Sequence, residues 1–164
     1  MVQDWDEIGK QGDTRDGRFY SFAFADWMPK LNTNNEEVID YFCKVCEGWI
    51  RKYDIDGIRF DVGNEVSHRF LKRMREHLKK IKPDIYLLGE IWHDPSQWLA
   101  GDEYDSVMNY PLMSGIHDFF LDQTMGKEEF EYMVNCCYTM YMQQNNNVLF
   151  NLLDSHDTER LMNR

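Results

Sequence analysis

The stretch DGIRFDVGNEVSH, Asp56 to His68, is the part of the sequence from which the fold is interpreted. Its apolar run predicts a buried strand over Gly57–Val62, and Arg59 and Asp61 interrupt that run with opposite charges. Because side chains two residues apart lie on the same side of a strand, these two are expected to form an ion pair. On its own, the segment fits both a structural ion pair and a catalytic carboxylate that an arginine keeps ionised.

Composition limits the classes of partner. The chain has 164 residues, with 29 acidic and 18 basic side chains and a formal charge of −11. Nucleic acids and anionic membranes bind basic patches, so neither is expected as a partner. No apolar stretch reaches the length of a membrane span, and the N-terminal residues lack the basic and apolar regions of a signal peptide. We therefore expect an acidic, cytoplasmic protein.

The four cysteines do not predict a disulfide framework or a zinc site. Cys43 and Cys46 form a C-x-x-C pair, but this pair lies within a helical pattern and has no redox-motif context. Cys136 and Cys137 are adjacent and would face different sides of a helix. Reduced cysteines packed in the interior of a cytosolic protein are the expected state.

Helical and strand patterns alternate after residue 33. Residues 1–33 have no sustained period but contain many aromatic side chains, which predicts a long functional loop. A helix capped by Asn34 or Asn35 follows and continues to about Lys52. Beyond strand Gly57–Val62, the patterns predict helix Glu65–Ile81, strands Ile85–Gly89 and Asp105–Asn109, helices Leu112–Gln123 and Lys127–Gln144, and strand Val148–Leu153.

Alternating strands and helices indicate an α/β fold with a parallel sheet. Glu90 follows Asp61 by 29 residues, about one βα unit, and Asp157 follows Glu90 by 67, about two units. All three carboxylates therefore come just after the carboxyl ends of predicted parallel strands. This is the edge at which (β/α)8 barrels place catalytic groups.

Clustered carboxylates suit either metal-dependent hydrolysis or glycoside cleavage. Barrel metallohydrolases usually need several histidines, often as His-x-His, and the sequence contains no such motif. In glycoside cleavage, Asp61 suits the nucleophile, and the apolar residues around Glu90 favour a protonated acid. Three histidines fall on predicted helices: His68, His77 and His117. Three aromatic residues near the strand ends are candidate platforms for sugar rings: Trp92, Trp98 and Tyr110.

Three segments together resemble successive conserved segments of the α-amylase family of glycoside hydrolases (family 13). They are DGIRFDVGNEVSH, LLGEIWHD and NLLDSHDTER. A fourth, MPKLN at Met28–Asn32, resembles the segment that marks the neopullulanase, cyclomaltodextrinase and maltogenic amylase branch. The resemblance implies retaining hydrolysis, with transglycosylation as a further activity, of α-1,4- and α-1,6-glucosidic bonds in cyclodextrins, pullulan or starch.

The resemblance also implies roles for individual residues. It makes Asp61 the nucleophile, Glu90 the acid/base and Asp157 the carboxylate that stabilises the transition state. Substrate-binding positions implied in the same way are Arg59, His156, Asn64, Glu65 and Trp92. The resemblance implies no cofactor, and no ligand cluster in the sequence indicates a structural calcium ion.

The matched segments correspond to the middle of the family's barrel. We expect a partial (β/α)8 barrel comprising strands 4 to 7 with their helices, without the first strands or the last. Residues 1–33 would form a substrate loop and residues 34–164 the βα units. Open strand edges would favour self-association. Two interpretations of function stay open: a catalytic piece of such an enzyme, or a non-catalytic carbohydrate-binding fragment of one.

Overall fold

The computed structural model describes residues 20–22 and 25–163 of the chain. Within these two ranges, helices α1 to α5 occupy Glu36–Tyr53, His68–Ile81, Tyr110–Ile116, Lys127–Met140 and Gln143–Asn146. Strands β1 to β5 of the same ranges occupy Ser21–Phe22, Ala25–Pro29, Gly57–Phe60, Tyr86–Gly89 and Ser106–Val107. Short 3-10 turns lie at Gly63–Glu65, Ser96–Trp98 and Leu161–Asn163, and a π-helical turn at His117–Leu121.

The central sheet is parallel, as predicted. Strands β3, β4 and β5 lie side by side in chain order. Helix α2 connects β3 to β4, which makes a βαβ unit. Gly57 pairs with Tyr86 and Phe60 pairs with Gly89, so the carboxyl ends of β3 and β4 are level. The residues that follow these two strands therefore emerge at one edge of the sheet.

The prediction of a strand over Val148–Leu153 is wrong. This segment makes only an isolated parallel bridge, Met108 to Phe150. Its Phe150 carbonyl accepts from the Asn109 N–H, but two other carbonyls accept from side chains: the Tyr86 hydroxyl donates to Val148 O at 2.6 Å, and His117 Nε2 to Leu153 O at 2.7 Å. Since β5 is only two residues long, it offers little backbone to pair with. The segment still lies beside β5, but without a ladder.

Helix α1 forms for the reasons that the sequence indicated. The Asn35 side chain accepts hydrogen bonds from the backbone N–H groups of Glu37 and Val38. The apolar face of α1 packs on α2 and the sheet. The buried side chains of this core include Ile39, Cys43, Cys46 and Ile50 of α1, Phe70, Leu71, Met74 and Leu78 of α2, and Leu87 of β4. The prediction of unpaired cysteines in the core is confirmed for Cys43, Cys46 and Cys137; Cys136 is also free but half-buried.

Helix α2 begins three residues later than predicted. Its cap is Ser67, whose hydroxyl accepts from Phe70 N–H. Ser67 is itself held from across the chain, because its N–H donates to Thr33 Oγ1 and its hydroxyl to Thr33 O. Glu65, the predicted start, lies in the preceding 3-10 turn. A tertiary contact thus fixes where this helix starts.

The region predicted as a loop contains an antiparallel pair of short strands, β1 and β2. Tyr20 and Trp27 beside and within this pair are exposed. Other members of the predicted aromatic cluster, Trp5, Phe19 and Phe24, lie outside the described residues. The predicted helices after β5 are shorter than expected: one ends at Ile116 before the π turn, and the other ends at Met140.

Across the described residues, no helix combines the length and apolar character that spanning a bilayer requires.

Candidate active site

Arg59 brings the three predicted carboxylates together. Its Nη1 lies 3.0 Å from Asp61 Oδ1, and its Nη2 lies 3.1 Å from Glu90 Oε2 and 3.8 Å from Asp157 Oδ2. The third guanidinium nitrogen, Nε, donates to the sulfur of Met108 at 3.3 Å. The predicted ion pair of Arg59 and Asp61 is confirmed, although β3 ends at Phe60 rather than at Val62 and Asp61 lies in the turn that follows it. The same guanidinium also reaches the two carboxylates that follow later in the sequence.

Burial distinguishes the three carboxylates. Glu90 is only 3% exposed, whereas the Asp61 side chain is 68% exposed and that of Asp157 is 43% exposed. An exposed carboxylate can meet a substrate from solvent without a large desolvation cost. A buried one keeps its charge only when donors surround it.

Three donors surround Glu90. Oε2 accepts from Arg59 and from the backbone N–H of Val62 at 2.8 Å, and Oε1 accepts from Trp92 Nε1 at 3.1 Å. The apolar setting expected from the neighbouring sequence is therefore wrong for the carboxylate itself. Arg59 of β3 and the Val62 N–H in the loop after it, which are distant in sequence, supply two of the polar contacts, and the nearby Trp92 supplies the third.

The backbone at Val62 is strained. Its φ of 43° and ψ of 56° lie in the left-handed region, which a β-branched residue rarely occupies. This conformation turns the chain sharply after β3 and aims the Val62 N–H at Glu90. The strain, roughly 1–2 kcal/mol, is offset by the contacts that the turn makes.

Replacing Val62 with glycine tests this strain. Glycine adopts the left-handed region freely, so the released strain should offset the lost side-chain packing, and unfolding free energy should change by less than about 1 kcal/mol. Val66→Gly is the matched control, because Val66 is also half-buried but extended, with φ −87°. That change should cost about 2 kcal/mol. Equal losses for both variants in urea denaturation would contradict the assignment.

Tyr104 fixes the two loops that carry Asp61 and Glu90. Its ring is fully buried between Gly63 and Gly89, and its hydroxyl donates to Gly63 O at 3.0 Å. A Cβ at either glycine would lie 2.7 Å from the tyrosine side chain, so neither position has room for one. Gly63 N–H also donates to Glu90 O. The loops after β3 and β4 are therefore held to each other by backbone and ring contacts.

Asp157 is positioned by its own loop. His156 Nε2 lies 3.1 Å from Asp157 Oδ2, and the Asp157 N–H donates to Ser155 Oγ at 3.2 Å. The His156 side chain is 64% exposed and so remains accessible to a ligand. Asp157 thus lies between His156 and Arg59, whose Nη2 is 3.8 Å from the same Oδ2.

Trp92 is the one predicted platform near the strand ends that is exposed. One face of its indole stacks on Tyr110, with ring centroids 3.8 Å apart and planes 12° apart, and the side chain remains 49% exposed. Trp98 and Tyr110, also predicted as platforms, are buried at 5% and 3% exposure. That prediction is wrong for both, because each packs its ring against neighbouring aromatic or histidine side chains.

Asn64 and Glu65 line a separate polar cavity of about 1100 Å³. Residues 29–35, which include most of MPKLN, form its other wall. Lys30 Nζ lies 2.7 Å from Glu65 Oε2 across this cavity, and both side chains are about three-quarters buried. The ion pair ties the MPKLN segment to the loop after β3.

The helical histidines make structural contacts. His68 bonds to the buried Glu103, His77 to Glu47, and His117 to the backbone of Leu153. Among the residues that the structure describes, no group of three or more His, Cys, Asp and Glu side chains could hold a metal ion.

The site also uses residues that the sequence did not single out. The Val62 backbone, Met108 and Ser155 contact the charged groups, and only a tertiary structure identifies them. Lys30 could have been recognised, since it lies in the MPKLN segment. The arrangement offers an exposed carboxylate, a buried one with a hydrogen-bonded network, and a third beside a histidine. Such sets support nucleophilic attack combined with proton transfer.

Comparison with known proteins identifies the family. The Alpha amylase, catalytic domain model matches residues 2–164. A cyclomaltodextrinase from a Bacillus species is 49% identical over 87% of this chain and 25% of its own length. The intracellular maltogenic amylase of Bacillus subtilis is 44% identical over 98% of this chain and 30% of its own. A solved cyclomaltodextrinase structure superposes with a TM-score of 0.84 at 48% identity, over 88% of this chain and 25% of that one.

The chain thus spans about a quarter to a third of the length of these relatives. The family's catalytic domain implies a (β/α)8 barrel, and the parallel sheet of β3 to β5 with its helices fits part of one. The resemblance expected from the four sequence segments is confirmed. This chain belongs to the α-amylase family of glycoside hydrolases, with cyclomaltodextrinases, maltogenic amylases and neopullulanases among its relatives.

Proposed function

We propose that this chain supplies the catalytic carboxylates for retaining cleavage of α-1,4- and α-1,6-glucosidic bonds. The observation that carries the proposal is the convergence of Asp61, Glu90 and Asp157 on the guanidinium of Arg59. Cyclomaltodextrinases and maltogenic amylases among the relatives support cyclodextrins and starch as substrates, and a neopullulanase supports pullulan.

In the first step, the exposed Asp61 carboxylate attacks the anomeric carbon and forms a glycosyl ester. Glu90 gives a proton to the departing glycosidic oxygen. In the second step, Glu90 removes a proton from water as that water attacks the anomeric carbon and releases Asp61. A sugar hydroxyl in place of water gives transglycosylation. Asp157, beside His156, stabilises the positive charge that develops on the sugar.

The contacts of Glu90 favour one oxygen as the proton carrier. Oε2 accepts two hydrogen bonds, from Arg59 and Val62 N–H, whereas Oε1 accepts one, from Trp92. A proton on Oε2 would compete with two donors. We therefore assign the transferred proton to Oε1, next to the exposed indole of Trp92.

The remaining predicted residues have binding roles in this proposal. Trp92 offers its open face to a sugar ring, and His156 offers a ring nitrogen beside Asp157. Asn64 and Glu65, with Lys30, contact the part of the glucan that leaves or accepts the sugar. The described part of the predicted substrate loop, residues 20–22 and 25–33, serves as a substrate-facing segment, which agrees with the contact between Lys30 and Glu65.

In this proposal β3, β4 and β5 are strands 4, 5 and 6 of the family's barrel, and residues 148–153 take the place of strand 7. Three apolar side chains of that segment, Val148, Phe150 and Leu153, are each about 45% exposed. Association of two copies through this face would bury them. Light scattering should then show a mass that rises with concentration; a constant monomer mass would exclude self-association.

A cytoplasmic location is proposed from the relative named intracellular.

Turnover of β-cyclodextrin and p-nitrophenyl maltoside tests the proposal. Hydrolysis should be lost in Asp61→Asn and retained in Asp56→Asn, a matched change at the opposite end of β3 where Asp56 is exposed. The first-formed sugar, observed by NMR, should be the α-anomer. Equal turnover in Asp61→Asn, or a β-anomer, would contradict the assignment.

A folded chain that binds maltoheptaose without any turnover would support the second candidate, a carbohydrate-binding fragment. The observation that favours this candidate is the exposed Trp92 close to a polar site.

A further inference from the structure

Tyr110 lies at the centre of the site but does not face solvent. It is the first residue of α3, directly after the cap Asn109, and is 3% exposed. No contact with a ligand is therefore expected of it. Its two ends contact two different loops: its ring meets the loop after β4, and its hydroxyl meets the loop that follows residue 153.

The ring of Tyr110 determines where Trp92 lies. The two rings are nearly parallel at 3.8 Å, and the opposite face of the indole remains open. In this orientation Trp92 Nε1 donates to Glu90 Oε1 at 3.1 Å. An exposed tryptophan without this backing would sample other rotamers, and most of them would break the bond to Glu90.

The hydroxyl of Tyr110 connects to Asp157. It donates to Ser155 Oγ at 3.4 Å, and the same Ser155 Oγ accepts the backbone N–H of Asp157 at 3.2 Å. Burial raises the pKa of Tyr110, Ser155 lowers it in part, and the charges of Glu90 and Asp157 raise it further. The hydroxyl therefore remains a donor at neutral pH.

We propose that Tyr110 is a positioning residue that sets the orientation of Glu90 through Trp92 and the place of Asp157 through Ser155. It couples two loops that no strand pairing joins. The inference deepens the proposed function and rests on it for the catalytic meaning of these carboxylates. The positioning itself is a statement about geometry and can be measured without turnover.

NMR of the whole chain measures the positioning. The indole N–H signal of Trp92, assigned with the Trp92→Phe variant, reports its hydrogen bond to Glu90. The backbone N–H signal of Asp157 reports the connection from Tyr110 through Ser155. Tyr110→Phe keeps the ring and removes the hydroxyl. It should leave the Trp92 signal in place and accelerate hydrogen exchange at Asp157 N–H about fivefold.

Tyr110→Leu removes both contacts, so it should also shift the Trp92 signal and accelerate its exchange at least fivefold. Tyr132→Leu is the matched control, because Tyr132 is 74% exposed on α4 and should change neither signal. The proposal is overturned if Tyr110→Phe leaves Asp157 exchange unchanged, or if folded Tyr110→Leu leaves Trp92 unchanged. Tyr110→Phe retains the buried ring, so it tests the connection through Ser155 even where the leucine variant does not fold.

Kinetics separate this inference from the proposed function. Where the wild-type chain turns over p-nitrophenyl maltoside, Tyr110→Leu should lower kcat at least tenfold with a smaller change in KM, and Tyr110→Phe should restore most of kcat. An equal loss of kcat in both variants would contradict positioning through the ring. Where the wild type shows no turnover, the NMR signals alone support or overturn the role of Tyr110.

Discussion

Replacing Arg59 with leucine is expected to lower the free energy of unfolding by about 3–5 kcal/mol, the usual cost of removing one partner from a buried charge pair. Nearly all of this loss should come from Glu90, which is 3% exposed and would lose its cationic partner in the interior. Asp61 and Asp157 are exposed enough for water to replace the guanidinium. Turnover of an α-maltoside should fall as well, because the three carboxylates would no longer be held together.

Urea denaturation followed by circular dichroism measures this effect. Arg51→Leu is the matched control, since Arg51 forms an exposed ion pair with Glu47 on α1 and should cost less than about 1 kcal/mol. In the double variant Arg59→Leu/Glu90→Gln no buried charge is left unpaired, so the loss should shrink markedly. If Arg59→Leu costs no more than Arg51→Leu, the guanidinium does not hold the site together.

Replacing Asp105 with alanine is the second large effect that we expect, a loss of about 3 kcal/mol. Asp105 accepts from Arg75 at 2.7 Å and Lys79 at 2.9 Å on α2, and from the N–H of Leu87 in β4 at 2.9 Å. Its side chain is only 17% exposed. The substitution would remove the carboxylate partner of two cations, which would keep only the backbone carbonyls of Glu103 and Ile85. It would also remove the side-chain acceptor of the Leu87 N–H, and it would loosen α2 from the sheet.

This loss should depend on pH. Burial acts to raise the pKa of Asp105, but the Leu87 N–H and the Lys79 and Arg75 side chains outweigh it, so the pKa lies below its ordinary value of 3.8. A carboxyl group whose pKa is lower in the folded state makes its full contribution to stability at pH values above the unfolded-state pKa. That contribution is lost as pH falls through the folded-state pKa. The difference in unfolding free energy between wild type and Asp105→Ala should therefore be constant near neutrality and become smaller below pH 3.8.

Urea denaturation between pH 7 and pH 2.5 would test this. The matched control is Asp102→Ala, whose carboxylate is 52% exposed and pairs with Lys72, and it should cost less than about 1 kcal/mol. Asp105→Asn keeps an acceptor for Leu87 and should lose less than the alanine variant. A gap of similar size at all pH values would show that the charge of Asp105 contributes nothing.

Local rules accounted for much of the fold and for the main site residues. The Asn35 cap, the apolar faces of α1 and α2 and the strands β3 and β4 follow from short-range patterns that the structure confirms. Asp61 and Glu90 could be placed at one edge because parallel strands emerge in register. Arg59 and Asp61 could be paired because they are two residues apart in a predicted strand, although the observed strand ends at Phe60.

Other features could not be read from local pattern, because they depend on residues far apart in the chain. The segment Val148–Leu153 has a strand pattern, yet the side chains of Tyr86 and His117 donate to its carbonyls at Val148 and Leu153. Trp98 and Tyr110 have the composition of sugar platforms, but packing buries them. Helix α2 starts at His68 because Thr33 holds its cap.

The sequence by itself determined the α/β alternation, because caps and periodicity act over a few residues. It also determined the family, because four of its segments resemble those of family members, and it predicted which three carboxylates follow the strands. Only the tertiary structure decided that one guanidinium contacts all three carboxylates. It alone revealed that Glu90 is buried among donors and that Tyr110 joins Trp92 to Ser155. The physical reason is that burial and side-chain hydrogen bonding depend on which distant segments meet, and no local pattern records this.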